Sequence, residues 1–292
     1  MIKVGSVRLK NKFWVYSSLT ILIWGLASVI IRLTFGSFSV FTLTAARSWI
    51  AAFVSLVICL VKKMPPPKLR DIPIFFISGA VGFAVYSVFF NLGFALVTAA
   101  TGNVILAAAP IFSALIALVV FKERIRPLGW VFTGVSFIGI LILVLWNGML
   151  SINRGVIWLL IAAVLLSAYN LIQRRLTKRY TALQSSAYSL IAAAILMSPF
   201  IPGAVRDIAA APPMAIVTLI YLGACASGIA YLLWTKAFSL AKRTADVANF
   251  LYLPPFIATI IAYLIFNELP DWGTVIGGVV ILFGLWMFQK KA

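Results

Sequence analysis

The sequence predicts an all-α integral membrane protein with ten transmembrane helices, arranged as two inverted five-helix repeats. Three observations carry that expectation. The first is composition: 63% of residues are hydrophobic and 10% charged, with a mean hydropathy of +1.10, whereas soluble domains carry about 25% charge. The second is spacing. Apolar runs of about 20 residues, the length that crosses the hydrocarbon core as a helix, follow one another with short connections. The third is a duplication. Pro110, Phe121, Glu123 and Gly139 return 145 positions later as Pro255, Phe266, Glu268 and Gly284. Five spans per half would send the second copy into the bilayer upside down, so Glu123 and Glu268 are expected on opposite sides.

The expected spans are 13–33, 41–61, 73–97, 99–121, 128–147, 156–173, 183–201, 214–237, 245–266 and 272–289. All are read as helices, because lipid offers no partner for a free backbone amide. Strict alternation over about ten residues, the mark of a membrane barrel, is absent. The first run is too long for a cleaved signal peptide and lacks a small-residue cleavage site. Basic residues punctuate every second connection: Lys3, Arg8, Lys10 and Lys12 before span 1; Lys62, Lys63, Lys68 and Arg70 after span 2; Lys122, Arg124 and Arg126 after span 4. Arg174, Arg175, Lys178 and Arg179 follow span 6, Lys236, Lys242 and Arg243 lie at the end of span 8, and Lys290 and Lys291 follow span 10. The alternate connections hold Arg32, Arg154 and Arg206 alone, and Arg47 lies within span 2. Under the positive-inside rule this asymmetry places both termini in the cytoplasm. Connections are short on both sides, the longest containing the stiff Pro65-Pro66-Pro67 spacer. The expected organisation is therefore one bundle of two halves, 1–147 and 148–292.

The net charge of +18 resides in those loop clusters, so nucleic acid is not an expected partner. Cys59 and Cys225 fall inside spans and histidine is absent, which leaves little basis for a disulfide, a metal site or a cofactor. The lipid bilayer and a small-molecule substrate are the expected partners, with the chain taken as a monomer.

Candidate functional residues are those that disturb an otherwise apolar interior. Pro110 lies near the middle of span 4, and Pro254-Pro255 near the middle of span 9. Proline removes a helical hydrogen bond and crowds the preceding turn, so both spans should kink at mid-membrane, as hinges, which the matched positions favour, or as prolines that a membrane helix simply tolerates. Asn91, Asn103, Asn170 and Asn249, with Ser28, are the polar groups at depth; each amide could bind a substrate carboxylate or amine, or simply join two helices. Trp24, Tyr86, Tyr169, Tyr231, Trp234, Tyr252 and Tyr263 place aromatic surface at depth, for stacking on a substrate or for helix packing. Trp14, Trp49, Trp130, Trp158, Trp272 and Trp286 lie nearer span ends and read as interfacial anchors. Arg47 is either a counter-charge for a substrate carboxylate or a residue that snorkels or pairs with carbonyls. Lys236 is expected to snorkel. Glu123 and Glu268 end their helices, where something must compensate a carboxylate that opposes the macrodipole. With no Asp, Glu or His at span centres, movement down the substrate's own gradient, or exchange, is expected rather than proton coupling.

Gly79-Ala80-Val81-Gly82, Phe94-Ala95-Leu96, Pro110, Glu123 and Gly139 in the first half face Gly223-Ala224, Gly228, Phe238-Ser239-Leu240, Pro255, Glu268 and Gly284 in the second. This ordered pair of motifs resembles the EamA family of the drug/metabolite transporter superfamily over the whole chain. Ser239 departs from the usual Ala-Leu, and the doubled proline leaves open which one matches Pro110. The resemblance implies export of amino acids and other small metabolites across a bacterial cytoplasmic (inner) membrane, and a central cavity lined by spans 1, 3, 4, 6, 8 and 9; by placing span 2 away from the cavity centre it favours snorkelling or carbonyl pairing for Arg47. A drug or nucleotide-sugar carrier is the alternative within that superfamily. A membrane receptor or sensor without translocation is the alternative outside it. An enzyme is disfavoured, since no His-Glu-x-x-His, paired intramembrane carboxylates or Gly-x-Ser-x-Gly is present.

Overall fold

The computed structural model describes residues 13–121, 127–146, 154–240, 247 and 249–291. Glu123, and with it the expectation for the end of its helix, lies outside the described residues. Where described, the chain is helical: α1 Phe13–Ile30, α2 Val40–Val61, α3 Ile72–Gly79, α4 Val85–Phe94, α5 Ala99–Leu106, α6 Ala109–Phe121, α7 Pro127–Leu145 and α8 Arg154–Leu176. The second half continues with α9 Ala182–Met197, α10 Ile201–Ala210, α11 Pro213–Ile220, α12 Ala230–Leu240, α13 Pro254–Phe266 and α14 Trp272–Lys291. Among the described residues, six continuous helical stretches are long and apolar enough to cross a membrane: Phe13–Thr34, Val40–Val61, Leu69–Phe94, Arg154–Gln173, Ala182–Ala210 and Pro213–Ala237. Ala99–Ser113, Pro127–Ile142, Pro254–Phe266 and Trp272–Phe288 are shorter apolar helices.

The prolines explain part of that division. Pro110 has no N–H to give the carbonyl of Leu106, and the helix stops there: α5 ends at Leu106 and α6 begins at Ala109. A 3₁₀ turn, Asn249–Tyr252, precedes α13 in the same way, and Pro255 has no N–H for Leu251. Leu106 and Leu251 are themselves 145 positions apart. The breaks are therefore register-matched, with Pro255 at the repeat offset and Pro254 opening the helix.

Two further interruptions are not signalled by proline. α3 passes into α4 through a π-helical segment, Ala80–Ala84, and α11 passes into α12 through another, Tyr221–Ile229. A π turn replaces i→i+4 hydrogen bonds by i→i+5 ones, as from Val85 to Ala80 and from Ala230 to Cys225, and is frequent at functional sites. The expected end of span 7 also needs correcting. The chain stays helical past Ile201 to Ala210, because Pro199 and Pro202 sit in first-turn positions where a missing N–H costs nothing. Asp207 on this added helix accepts hydrogen bonds from the Thr42 hydroxyl and the Ser39 amide, at the N-terminus of α2.

Helix pairs pack in matching sets. α4 lies on α8 as α1 lies on α12, α6 lies on α8 as α1 lies on α13, while α2 packs on α9 and α7 on α14. Glycine lets the backbones meet at reciprocal positions. A Cβ at Gly139 would stand 2.8 Å from the Gly277 carbonyl and the Ile281 amide, and one at Gly284 would stand 2.9 Å from the Phe132 carbonyl and the Ser136 amide. Gly139 and Gly284, and Ser136 and Ile281, are each repeat mates, so residue i meets the mate of j while j meets the mate of i. That reciprocity is the contact pattern of a two-fold axis. The largest core cluster includes Ile31, Leu43, Phe94, Ile105, Ile111, Leu159 and Leu222. Leu60, Val61, Val119 and Leu264 are among the apolar side chains facing outward.

Gly139→Ala and Gly284→Ala are expected to lower the melting temperature of the purified protein by several degrees, as overpacking costs roughly 1–3 kcal/mol. Gly134→Ala, where nothing lies within 4 Å, should be neutral.

Candidate functional site

The two proline breaks and the second π segment border a cavity of about 90 Å³ deep in the bundle. Its wall is built from Trp24, Ala27 and Ser28 of α1, Arg47 of α2, Tyr86 and Phe90 of α4, and Asn103, Leu106 and Ala107 at the α5 break. Leu166 of α8, Leu222 and Ala226 of the second π segment, Tyr231 of α12, and Leu251 with Pro254 at the α13 break complete it. Both halves contribute, and Leu106 and Leu251, whose carbonyls have lost their usual helical donors to proline, are both in the wall. The volume is below the roughly 300–1,000 Å³ of ordinary ligand pockets, so admitting a metabolite requires the surrounding helices to move apart.

Arg47 is the charged member. It is 8% exposed and does not snorkel. Its guanidinium donates to Asn91 Oδ1 at 3.1 Å and to Ser227 Oγ at 3.2 Å, and lies 5.9 Å from the centre of the Phe90 ring. Asn91 is held in turn by donating to the Thr44 hydroxyl at 3.0 Å. The preference for snorkelling is therefore corrected: α2 packs against α9 and the Tyr221–Ile229 segment, which turns Arg47 inward among polar groups.

The polar wall opposite is a short chain of hydrogen bonds. Asn103 Nδ2 donates to Ser28 Oγ at 2.7 Å and to the Ala99 carbonyl at 2.8 Å, and Ser28 donates to the Gly25 carbonyl at 2.8 Å. Trp24 donates its indole N–H to the Ala226 carbonyl at 3.1 Å, which ties the first half to the second π segment. An aromatic stack adjoins the cavity: Trp24 lies 5.1 Å from Tyr231 and 5.3 Å from Trp234, while Phe83 lies 4.7 Å from Tyr231 and 5.0 Å from Tyr169.

Of the residues singled out from sequence, Trp24, Ser28, Tyr86, Asn103, Tyr231 and Pro254 line the cavity. Four stand elsewhere. Asn91 is fully buried behind Arg47, Tyr169 and Trp234 are buried in the aromatic stack, and Asn170 is half-buried away from the wall. Helical period decides these cases: Asn170 follows Tyr169 directly and must face about 100° away from it. Pro255 is buried at the α13 break without lining the cavity. The side chains of Pro110, Asn249 and Tyr252 lie outside the described residues. Tyr263 is 50% exposed on the outer surface and Lys236 is exposed. Sequence reasoning missed Phe90 and Ser227, which touch Arg47; their spacing along the helices from Tyr86 and Tyr231 was the available signal.

On the face bearing Arg32 the bundle is tied by an ion pair. Arg32 contacts Glu268 and also donates to the Val97 carbonyl at 2.7 Å, so the group that compensates Glu268 is a side chain of the other half. Thr101 and Thr274 meet beside it at 2.6 Å. A vestibule of about 540 Å³ lies on this face, lined by Arg32, Asp271, Thr98, Thr101 and Thr274 among others. At the opposite end Asp71 accepts from Arg179 at 3.2 Å and from the Tyr180 hydroxyl at 2.8 Å, and Tyr180 accepts from the Lys68 amide. The proline spacer is thereby fastened to the α8–α9 turn.

Comparison with known proteins agrees with this architecture. A probable terminal-alkyne amino-acid exporter of Streptantibioticus cattleyicolor is 28% identical over 94% of this chain and 92% of its own length. The uncharacterized transporter YdfC of Bacillus subtilis is 29% identical over 92% of this chain and 88% of its own. An S-adenosylmethionine uptake transporter of Rickettsia prowazekii is 33% identical over 65% of this chain and 63% of its own. A crystal structure with 19% identity superposes over 97% of the chain, and all of its own, at a TM-score of 0.67, which speaks to the fold. The EamA-like transporter family matches residues 13–145 and again 153–289, and the chain belongs to that family of membrane transporters.

Proposed function

We propose that the chain is a secondary transporter that exports small metabolites, foremost amino acids including aromatic and hydrophobic ones, across the bacterial cytoplasmic membrane by alternating access. Ten spans in two inverted five-helix halves, 1–147 and 148–292, with both termini in the cytoplasm, are part of this reading. The observation that carries it is the cavity at which two register-matched helix breaks meet, with walls from both halves. Discontinuous helices at a repeat interface are where carriers of this kind bind substrate. The reciprocal glycine contacts and matched helix pairs support the inverted repeat, and the 20-to-3 division of loop Lys and Arg supports the orientation.

The wall suits an amphipathic solute. Leu106, Leu166, Leu222, Leu251 and the aromatic rings offer apolar surface, while Arg47, Asn103 and Ser28 offer polar contacts. The amino-acid and S-adenosylmethionine carriers among the relatives favour this assignment, because both substrates contain an α-amino carboxylate. A nucleotide sugar fits less well. Its two phosphates call for several cations, and Arg47 is the single Lys or Arg among the described lining residues. Neither Asp, Glu nor His is among them, which supports uniport or exchange without obligatory proton coupling.

Closure on the Arg32 face, by the ion pair to Glu268, would keep that end shut while the other opens. The two breaks supply the bending points, and the small contact residues between α7 and α14 allow the halves to shift together.

Three measurements test this reading. Proteoliposomes loaded with an amino acid should accumulate the labelled compound by counterflow, and a protonophore should leave that exchange intact; binding without translocation would indicate a receptor. Pro110→Ala and Pro255→Ala should each lower the exchange rate by about an order of magnitude while folded yield changes little, whereas parallel losses would make the breaks static. Single cysteines placed beside Glu123 and Glu268 in a background lacking Cys59 and Cys225 should react with an impermeant maleimide from opposite sides. Labelling from one side would refute the inversion.

A further inference from the structure

We infer that Arg47 is the anion-recognition group of the central cavity, so the transported solute must carry an anionic group, a carboxylate in the amino-acid case. This rests on the reading of the cavity as the transport site and adds to it the chemical feature that the site selects.

Four observations converge on Arg47. It is more than nine-tenths buried at depth in the bundle. Its hydrogen-bond partners, Asn91 and Ser227, are neutral, and among the described residues no carboxylate lies within 4 Å. Its Nε is buried and has no hydrogen-bond partner. It faces the cavity, beside Tyr86, Phe90 and Tyr231. A buried cation held only by dipoles and a ring face is costly, and such groups within a membrane normally find an opposite charge. Here the place for that charge is the cavity itself. Asn91, fixed by Thr44, positions the guanidinium planar face and fork, and a carboxylate entering from the Trp24 side would meet a donor already oriented and largely stripped of water.

The rest of the cavity is consistent with a zwitterion. No acidic side chain is among the described lining residues to hold an ammonium, but an ammonium can bind carbonyl oxygens and ring faces. Leu106 and Leu251 carry carbonyls that Pro110 and Pro255 cannot serve, and Trp24 and Tyr231 offer ring faces. The anionic end is thus read by one dedicated charge and the cationic end by neutral acceptors, which makes the carboxylate the more stringent requirement.

The test is competition against counterflow of labelled leucine or phenylalanine in proteoliposomes of the full-length protein. The competitors are the parent acid, its methyl ester, its amide, the decarboxylated amine and the deaminated acid. Compounds with a free carboxylate should compete, and the ester, amide and amine should be weaker by about ten- to hundredfold, the value of a charged hydrogen bond. Arg47→Met should abolish that discrimination, Arg47→Lys should retain part of it, and substrate-free Arg47→Met should melt at or above the wild-type temperature, because an uncompensated charge has been removed. Equal competition by acid and amide, or unchanged discrimination in Arg47→Met, overturns the inference while leaving the transporter assignment standing. If amino acids are not moved, the same acid-versus-ester comparison is made on the compound that is. An amphipathic cation without an anionic group as the transported species would overturn the anion requirement, whereas an organic acid would support it and refute only the amino-acid assignment. If nothing is moved, thermal stabilisation of the wild-type protein by leucine or phenylalanine but not by the ester supports the inference, and its absence overturns it.

Discussion

The structure depends on how backbone hydrogen bonds are satisfied where no water is available. In a bilayer every peptide group left unpaired costs several kcal/mol, so the chain is helical almost wherever it is described, and each departure from regular helix needs a local reason. The departures are few and register-matched: a proline break after Leu106 and one around Leu253, and a π segment at Ala80–Ala84 and another at Tyr221–Ile229. The two proline breaks and the Tyr221–Ile229 segment line the same small cavity, which is where unsatisfied backbone can be tolerated because it faces other protein groups rather than lipid.

Around that cavity, polar contacts and close backbone packing divide the work. The glycine contacts at Gly139 and Gly284 bring α7 and α14 together backbone to backbone, with Ser136 donating to the Ile281 carbonyl at 3.4 Å. At the cavity, helices are joined instead through Trp24 to Ala226, Asn103 to Ser28 and Arg47 to both Asn91 and Ser227. Interhelical hydrogen bonds in membrane proteins are individually modest, about 0.6 kcal/mol. Such contacts can be exchanged at small cost, which is what a binding site that opens and closes requires. The ion pair of Arg32 with Glu268 has the same character. It joins the turn after α1 to the turn after α13 at a partly exposed position, where charges can separate into water without a prohibitive desolvation cost.

Much of the fold was legible because the bilayer imposes simple rules. Among the described residues, six membrane-length helices and four shorter apolar ones followed from apolar run length, and the breaks near Pro110 and Pro255 followed from the chemistry of proline. The site was legible only in part. Trp24, Tyr86 and Tyr231 could be named as aromatic residues at depth, yet nothing in the linear order told them apart from Tyr169 or Trp234, which fill the stack beside the cavity. Arg47 was misjudged for the same reason. A lone arginine in an apolar run has two physically reasonable fates, and choosing between them requires knowing which face of α2 meets the Tyr221–Ile229 segment.

By itself, the sequence determined the class of protein, the apolar segments, the duplicated motif and the places where helices must break, since these depend on composition, length and the missing N–H of proline. Tertiary structure decided which side chains share the cavity, that Arg47 is among them with its buried Nε unpaired, that Glu268 answers to Arg32, and that the Tyr221–Ile229 segment completes the wall. Those outcomes depend on helix rotation and on contacts between residues far apart in the chain, and neither is encoded in any local pattern of apolar and polar positions.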